Sequence, residues 1–202
     1  MKIYSVKDEE FRTYGRILDI DASEVIKAAE NIKMPDSGSS YIASVTEFEG
    51  TGFAEVVKNY CFGELHVQTG YCFGHSNKLN AVEWHKCSEV NAAVTDLILF
   101  LGELKDIENG RYNSENMKAF KVNKGEVIEV YSTTLHFCPI EVNRAGFGCV
   151  VCLVKGTNLP LDKPAAEKTL FRKNKWIMAH NENAELISRG VCSGVYGPNF
   201  SI

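Results

Sequence analysis

The feature that most constrains this chain is its punctuation. From Tyr41 onward, short apolar stretches of strand length are broken at close intervals by Gly, Asn, Asp or Pro, as at Asn109-Gly110, Gly146 and Gly156-Thr157-Asn158. Such spacing predicts strands joined by turns. The expected strands are Tyr41 to Phe48, Glu64 to Tyr71, Leu79 to Lys86, Ala92 to Leu101, Ala119 to Val122, Val127 to Tyr131, Leu135 to Pro139, Phe147 to Val154 and Trp176 to His180. Many short strands, with no sustained helical pattern after the first helix, predict a mainly β sandwich or barrel.

One helix precedes them. Asp21 is placed as its N-cap, with Glu24 three residues on as the partner of a capping box, and Val25, Ala29 and Ile32 on one face. The loop Met34 to Ser40 ends it. At 202 residues the chain has the length of one well-cored domain. It divides into an N-terminal helix and strand extension (1–40), a barrel (41–180) and a tail (181–202), whose Gly-rich end from Val191 to Ile202 reads as a lid or an arm over a partner. The stretch from Lys155 to Lys175 is the least β-like late part, its Leu159 to Pro164 segment reading as a long surface loop, and His180 reads as a strand-end residue at the surface.

Charge excludes some functions. The net charge is −4 and no stretch concentrates Lys and Arg, so a phosphate backbone finds no basic face. No apolar run is long enough to span a bilayer, and the start of the chain lacks the apolar core of a signal peptide. Seven cysteines, an odd number, fit reduced thiols in a cytoplasm better than a disulfide framework. Cys149 and Cys152 have CxxC spacing, but they fall in a strand. There, residues three apart point to opposite faces, so the two sulfurs are expected to diverge.

Histidine is scarce, with five in the chain, so placement is informative. In the strand around Glu83-Trp84-His85, alternation puts Leu79, Ala81, Glu83 and His85 on one side and Val82 and Trp84 on the other. A carboxylate and an imidazole then point the same way, about 6–7 Å apart. On a solvent face the pair is ordinary surface; in a closed barrel it looks into the lumen. Glu89 follows a tight turn at Lys86-Cys87-Ser88 and can return a second carboxylate to the same place. Some fifty residues later His136 begins a short apolar strand, after Ser132-Thr133-Thr134. Together these make a mixed nitrogen and oxygen set that suits Zn, Mn, Fe or Ni and leaves positions open for a substrate.

Other polar residues have two readings each. His75, in Gly74-His75-Ser76-Asn77, reads as an acid/base, a further ligand or a plain loop residue. His66 and Gln68 share a strand face and are substrate contacts if that face is the lumen, surface residues if it is not. Tyr131, Lys124 and Lys175 are weaker candidates for substrate contact.

These segments resemble the two cupin motifs, the first being HxH followed three or four residues later by Glu, the second supplying another His after a Gly-rich turn. Glu83-Trp84-His85 with Glu89 matches the first, with Glu in place of the leading His. Gly125 through His136 matches the second loosely, without its usual Pro-x-Gly spacing. The chain also resembles ureidoglycolate lyase, a cupin enzyme, at Phe11 to Gly15 and from Ala119-Phe120 to His136. It is most similar to an uncharacterised bacterial cupin-superfamily group, notably at Gln68 to Cys72, Gly74-His75, Leu79-Asn80, Glu83 to Asn91 and Thr95-Asp96. The resemblance implies a cupin-type double-stranded β-helix (jelly-roll) barrel. It also implies a divalent metal ion on Glu83, His85 and His136, with Glu89 as fourth ligand or general base. Cupin aldose–ketose isomerases use a comparable set. The chemistry expected is therefore isomerisation or epimerisation of a small sugar or sugar acid, with proton transfer through an enediolate. The alternatives are lyase chemistry on a small ureido or hydroxy-acid compound, or metabolite binding without catalysis. Cupins often pair as dimers by sharing edge strands, so a homodimer is expected.

Overall fold

The structure, a computed structural model, describes residues 1–202. The N-terminal part carries β1 (Ile3–Ser5), β2 (Gly15–Leu18), α1 (Ser23–Ala29), β3 (Ser39–Ile42), α2 (Thr46–Glu49) and α3 (Gly52–Phe62). The central strands are β4 (Val67–Gly74), β5 (Ala81–Trp84), β6 (Glu89–Ala93), β7 (Leu97–Glu103), β8 (Tyr112–Asn113) and β9 (Lys118–Val122). They continue with β10 (Val127–Val130), β11 (Thr134–Leu135), β12 (Ile140–Glu141) and β13 (Phe147–Val154). The chain closes with β14 (Leu170–Arg172), β15 (Lys175–His180), α4 (Ala184–Ser188) and β16 (Cys192–Tyr196). No helix is long and apolar enough to cross a membrane.

One sheet runs β2-β10-β6-β13-β4-β3, and a second runs β1-β9-β7 with β11 and β12 both on the far side of β7. A third sheet joins β14, β15, β16 and β8, with β5 also paired to β15. Reciprocal backbone bonds between Glu83 and His136 stitch β5 to the segment between β11 and β12. Along the chain β4, β6, β10 and β13 belong to the first sheet, while β5, β7 and β12 between them lie in the opposite wall. That switching of sheets is the jelly-roll path, and the molecule is mainly β with a cupin-type barrel.

Alternation explains why the central strands are apolar throughout. On β13, Cys149, Val151 and Leu153 enter a core shared with Leu97, Leu99 and Leu101 of β7 and Ile128 and Val130 of β10. This is the barrel interior. Val150 and Cys152 point outward, beneath Val25, Ala29, Phe48, Phe53 and Val57 of the three helices. Both faces are covered, so the strand has no polar side to show. Each large apolar side chain buried this way contributes roughly 1.5–3 kcal/mol. The sulfurs of Cys149 and Cys152 do diverge, toward Asn91 and Thr69 respectively. The outer face of the opposite wall is covered as well: Val82, Trp84, Ile98 and Phe100 pack with Tyr112, Met178 and Val195.

Several local expectations are corrected. The stretch Tyr41 to Phe48 is a strand only to Ile42 and then turns into α2. Next comes α3, a helix the sequence pattern did not suggest. Thr51 caps it by accepting from the Ala54 N–H at 3.3 Å, and Gly63 ends it at φ 54°. No capping box forms on α1. Asp21 accepts from Ser23 N at 2.8 Å, while Glu24 reaches across to accept from Gly52 N at 2.9 Å, at the start of α3. The two ends of the chain are tied in. The tail supplies β16, and Phe200 accepts the Leu79 N–H and packs on Phe100. His180 is buried rather than at the surface, with Nε2 3.0 Å from the Gly197 carbonyl oxygen. Leu159 to Pro164 is free of helix and strand, while Leu170–Arg172, in the stretch expected to be least β-like, is a strand.

Candidate metal centre

The site lies at one end of the barrel, where three separate pieces of chain meet. Strand β5 ends at Trp84, and period two aims Glu83 and the next inward residue, His85, into the lumen. After a bend the chain starts β6 at Glu89, whose inward face carries Glu89 and Asn91 while Val90 and Ala92 face the helices. The third piece is His136, set opposite Glu83 by the two backbone bonds, at 2.6 and 3.0 Å. Glu83, His85 and His136 each offer a donor atom, and these atoms all lie within 4.8 Å of one another. Glu89 Oε2 is 3.5 Å from Nε2 of both His85 and His136. Two donors on one ion, each about 2.1 Å from it, lie roughly 3.0–3.4 Å apart, so this spacing is close to that of a shared coordination sphere.

The tautomers follow from the outer contacts. His85 Nδ1–H donates to the Asn174 carbonyl oxygen at 2.6 Å, and His136 Nδ1–H donates to that of Thr134 at 3.1 Å. Each ring therefore keeps its proton on Nδ1 and turns a bare Nε2 lone pair into the site. Both Nε2 atoms are buried and have no hydrogen-bond partner. Buried orphan acceptors are costly, and two of them facing two carboxylates are what a cation would satisfy. The residues present fit a divalent metal ion. Glu89 is held well below the usual carboxylate range. Burial alone would push it up, but the neighbouring His136 and His85 outweigh that. Without an ion the pocket favours a second proton on His136, whose own burial is in turn outweighed by Glu89, so an ion at Nε2 takes the place of that proton. Asn91 Nδ2 donates to its other oxygen at 3.1 Å.

The centre opens into a cavity of about 190 Å³. One wall is apolar, with Leu99, Val130, Val151 and Leu153, and another is polar, with Ser39, Ser40, Tyr41 and Asn158. Lys175 also lines it, and its ammonium contacts the Glu83 carboxylate. Lys175 was a minor candidate in the sequence, and Tyr41 and Asn91 were not candidates at all. What brings Lys175 here is the pairing of β15 with β5, where Trp176 lies opposite Trp84. No local pattern announces that register.

The other expected contacts fall elsewhere. His75 bonds Glu141 at 2.8 Å through Nδ1 and does not line the cavity. His66 is exposed at the approach to β4. Gln68 is buried on the inward side, but its amide is spent on the turn at Gly156 and Thr157. Tyr131 is partly buried outside the cavity lining. Lys124 is on the surface, ion-paired with Glu30 at 2.6 Å.

Among solved structures the chain is similar to oxalate decarboxylase. One such structure, of a study of proton-coupled electron transfer, has a TM-score of 0.39 at 9% identity, covering 62% of this chain and 28% of that one. Another, on its substrate binding mode, has a TM-score of 0.38 at 9% identity with the same coverage. A third, on the Mn(II) centres of the Bacillus subtilis enzyme, has a TM-score of 0.36 at 9% identity, covering 60% and 28%. The chain thus spans less than a third of the length of these neighbours, and likenesses this weak carry no functional assignment. No curated protein matches it. Residues 3–200 match the family described as a domain of unknown function (DUF4867), and with its cupin-type barrel and His/Glu cluster this chain belongs to that family.

Proposed function

We propose that the chain is a metal-dependent cupin enzyme that isomerises or epimerises a small sugar or sugar acid. The observation that carries this is the pair of buried, partnerless Nε2 atoms of His85 and His136 facing Glu83 and Glu89. His85, His136 and Glu83 would hold the ion. A bound divalent ion would supply Lewis-acid polarisation of a substrate carbonyl or hydroxyl oxygen. With Glu83, His85 and His136 on the ion, Glu89 Oε2 would stand beside it uncoordinated, take a carbon-bound proton and return it to the adjacent carbon. Asn91 fixes the other oxygen of that carboxylate, so its orientation is set before substrate arrives. The Leu99, Val130 and Val151 side chains make the opposite wall apolar.

The test is solvent deuterium incorporation, followed by proton NMR, into a panel of pentoses, hexoses and uronic acids with Mn²⁺-loaded protein. Exchange at the carbon next to a carbonyl in at least one compound is expected. No exchange and no isomer from any of them would refute the reading. Glu89→Gln separates proton carrier from ligand. The expected outcome is metal content kept and exchange lowered by about 10²–10⁴-fold. Loss of the metal would instead move Glu89 into the ligand set.

A further inference from the structure

We propose that the ligand of this cavity is a small monocarboxylic acid and that Lys175 is the residue that binds its carboxylate. This rests on the metal-dependent reading above and narrows its substrate to an acid. Charge points to this ligand. Only Glu83, Glu89 and Lys175 among the cavity residues are charged, since the Nδ1–H bonds leave both imidazoles neutral as ligands. Two carboxylates balance one divalent ion. Lys175 is then left without a counter-charge, because its partner in the structure is Glu83, one of those two carboxylates. A largely buried ammonium whose one partner is shared with an ion is under-compensated, and a ligand carboxylate restores the balance.

Position supports the same ligand. Lys175 follows Asn174, whose carbonyl oxygen orients His85, so its ammonium is fixed beside the centre. The Phe137 ring lies 6.0 Å from Nζ. No other cation competes there: Lys86 lies over the Trp176 ring, and Lys173 pairs with Asp162. Elsewhere in the lining, Ser39, Ser40, Tyr41 and Asn158 supply hydroxyl and amide groups that suit a polyhydroxy chain. At about 190 Å³ the cavity is under the ~300–1,000 Å³ of drug-sized pockets. A small acid, up to the size of a single sugar acid, is the fitting ligand.

The experiment is calorimetric titration of the Mn²⁺-loaded protein, with metal content measured on every sample. The probes are matched pairs of acid and neutral analogue: glycolate and ethylene glycol, D-glycerate and glycerol, D-gluconate and D-sorbitol, D-glucuronate and D-glucose. At least one acid is expected to bind roughly tenfold or more tighter than its neutral partner. Lys175→Met is expected to keep its metal and lose that preference, and Lys175→Arg to recover part of it. The proposal is overturned if no acid binds, if a neutral analogue binds as tightly, if Lys175→Met keeps the preference, or if that variant loses its metal. Wild-type protein that takes up no metal would instead remove the metal-dependent reading, and the ligand proposal with it.

Discussion

At the scale of single residues, the site depends on atoms that never touch a ligand. The Asn174 carbonyl oxygen sets the tautomer of His85, while its side chain accepts from Lys86 N at 2.9 Å and donates to Thr157 Oγ1 at 2.8 Å. Asn174 also sits at φ 54°, a left-handed conformation that Asn tolerates better than Ala. Asn174→Ala is therefore expected to weaken metal binding about 10–100-fold without touching a ligand, as read by competition with a chelator. The thiols behave oppositely. Burial pushes Cys152 up to about 12 and Cys149 well above its ordinary value. Both should resist alkylation by iodoacetamide in the folded protein and react only on unfolding, as followed by mass spectrometry. Glu126 governs part of the acid limb. Burial would raise it, but Lys7 at 2.8 Å and the Asn123 N–H at 2.8 Å hold it below its ordinary 4.5. A depressed folded value means this stabilisation is whole above pH 4.5 and is lost as pH falls from there through the folded value. Glu126→Gln should thus narrow the difference in urea midpoint between pH 7 and pH 3.5, and an unchanged difference would count against the assignment.

At the scale of elements, the sequence was a good guide where period two met two covered faces, and a poor one at the helices. The direction of Glu83 and His85 was legible because alternation along a strand is rigid geometry. The span from Tyr41 to Phe48 carries aromatic and β-branched residues like a strand, yet from Thr46 it is helical, and Phe48 packs with the helices over the outer face of the six-stranded sheet. In α3, β-branched and aromatic residues conceal a helical face made by Phe53, Ala54, Val57 and Phe62. Its cap can be tested. Thr51→Ala removes the acceptor for Ala54 N and should cost about 0.5–2 kcal/mol in chemical unfolding. Close approach of backbones is another element-level constraint. A Cβ on Gly70 would lie 2.2 Å from the Ile42 carbonyl oxygen, so Gly70→Ala must push β3 off β4. Since β3 carries Tyr41 into the cavity wall, that variant should lose stability by about 1–3 kcal/mol.

At the scale of the whole molecule, what alternation could not supply was the meeting of distant pieces. His136 reaches Glu83 through a bridge between segments some fifty residues apart, and it was the resemblance to cupin motifs that pointed to it. Lys175 arrives from the other end of the chain by the β15–β5 register, which depends on the complete barrel. Conversely, His75 and Lys124 had suggestive neighbours in sequence but found partners of their own in Glu141 and Glu30. Because the site gathers β5, β6, the segment before β12 and the start of β15, an ion bound there would tie the barrel together. Saturation at 100 times the dissociation constant should add about 2.7 kcal/mol. That corresponds to a rise in Tm on the order of 5–10 °C, reversed by a chelator. The most direct measurement is elemental analysis after loading with Mn²⁺ or Zn²⁺ and desalting, comparing wild type with His85→Ala and His136→Ala. About one ion per wild-type chain and close to none in either folded variant is the expected result. Full metal content in both variants, or none in the wild type, would contradict a metal centre on these residues.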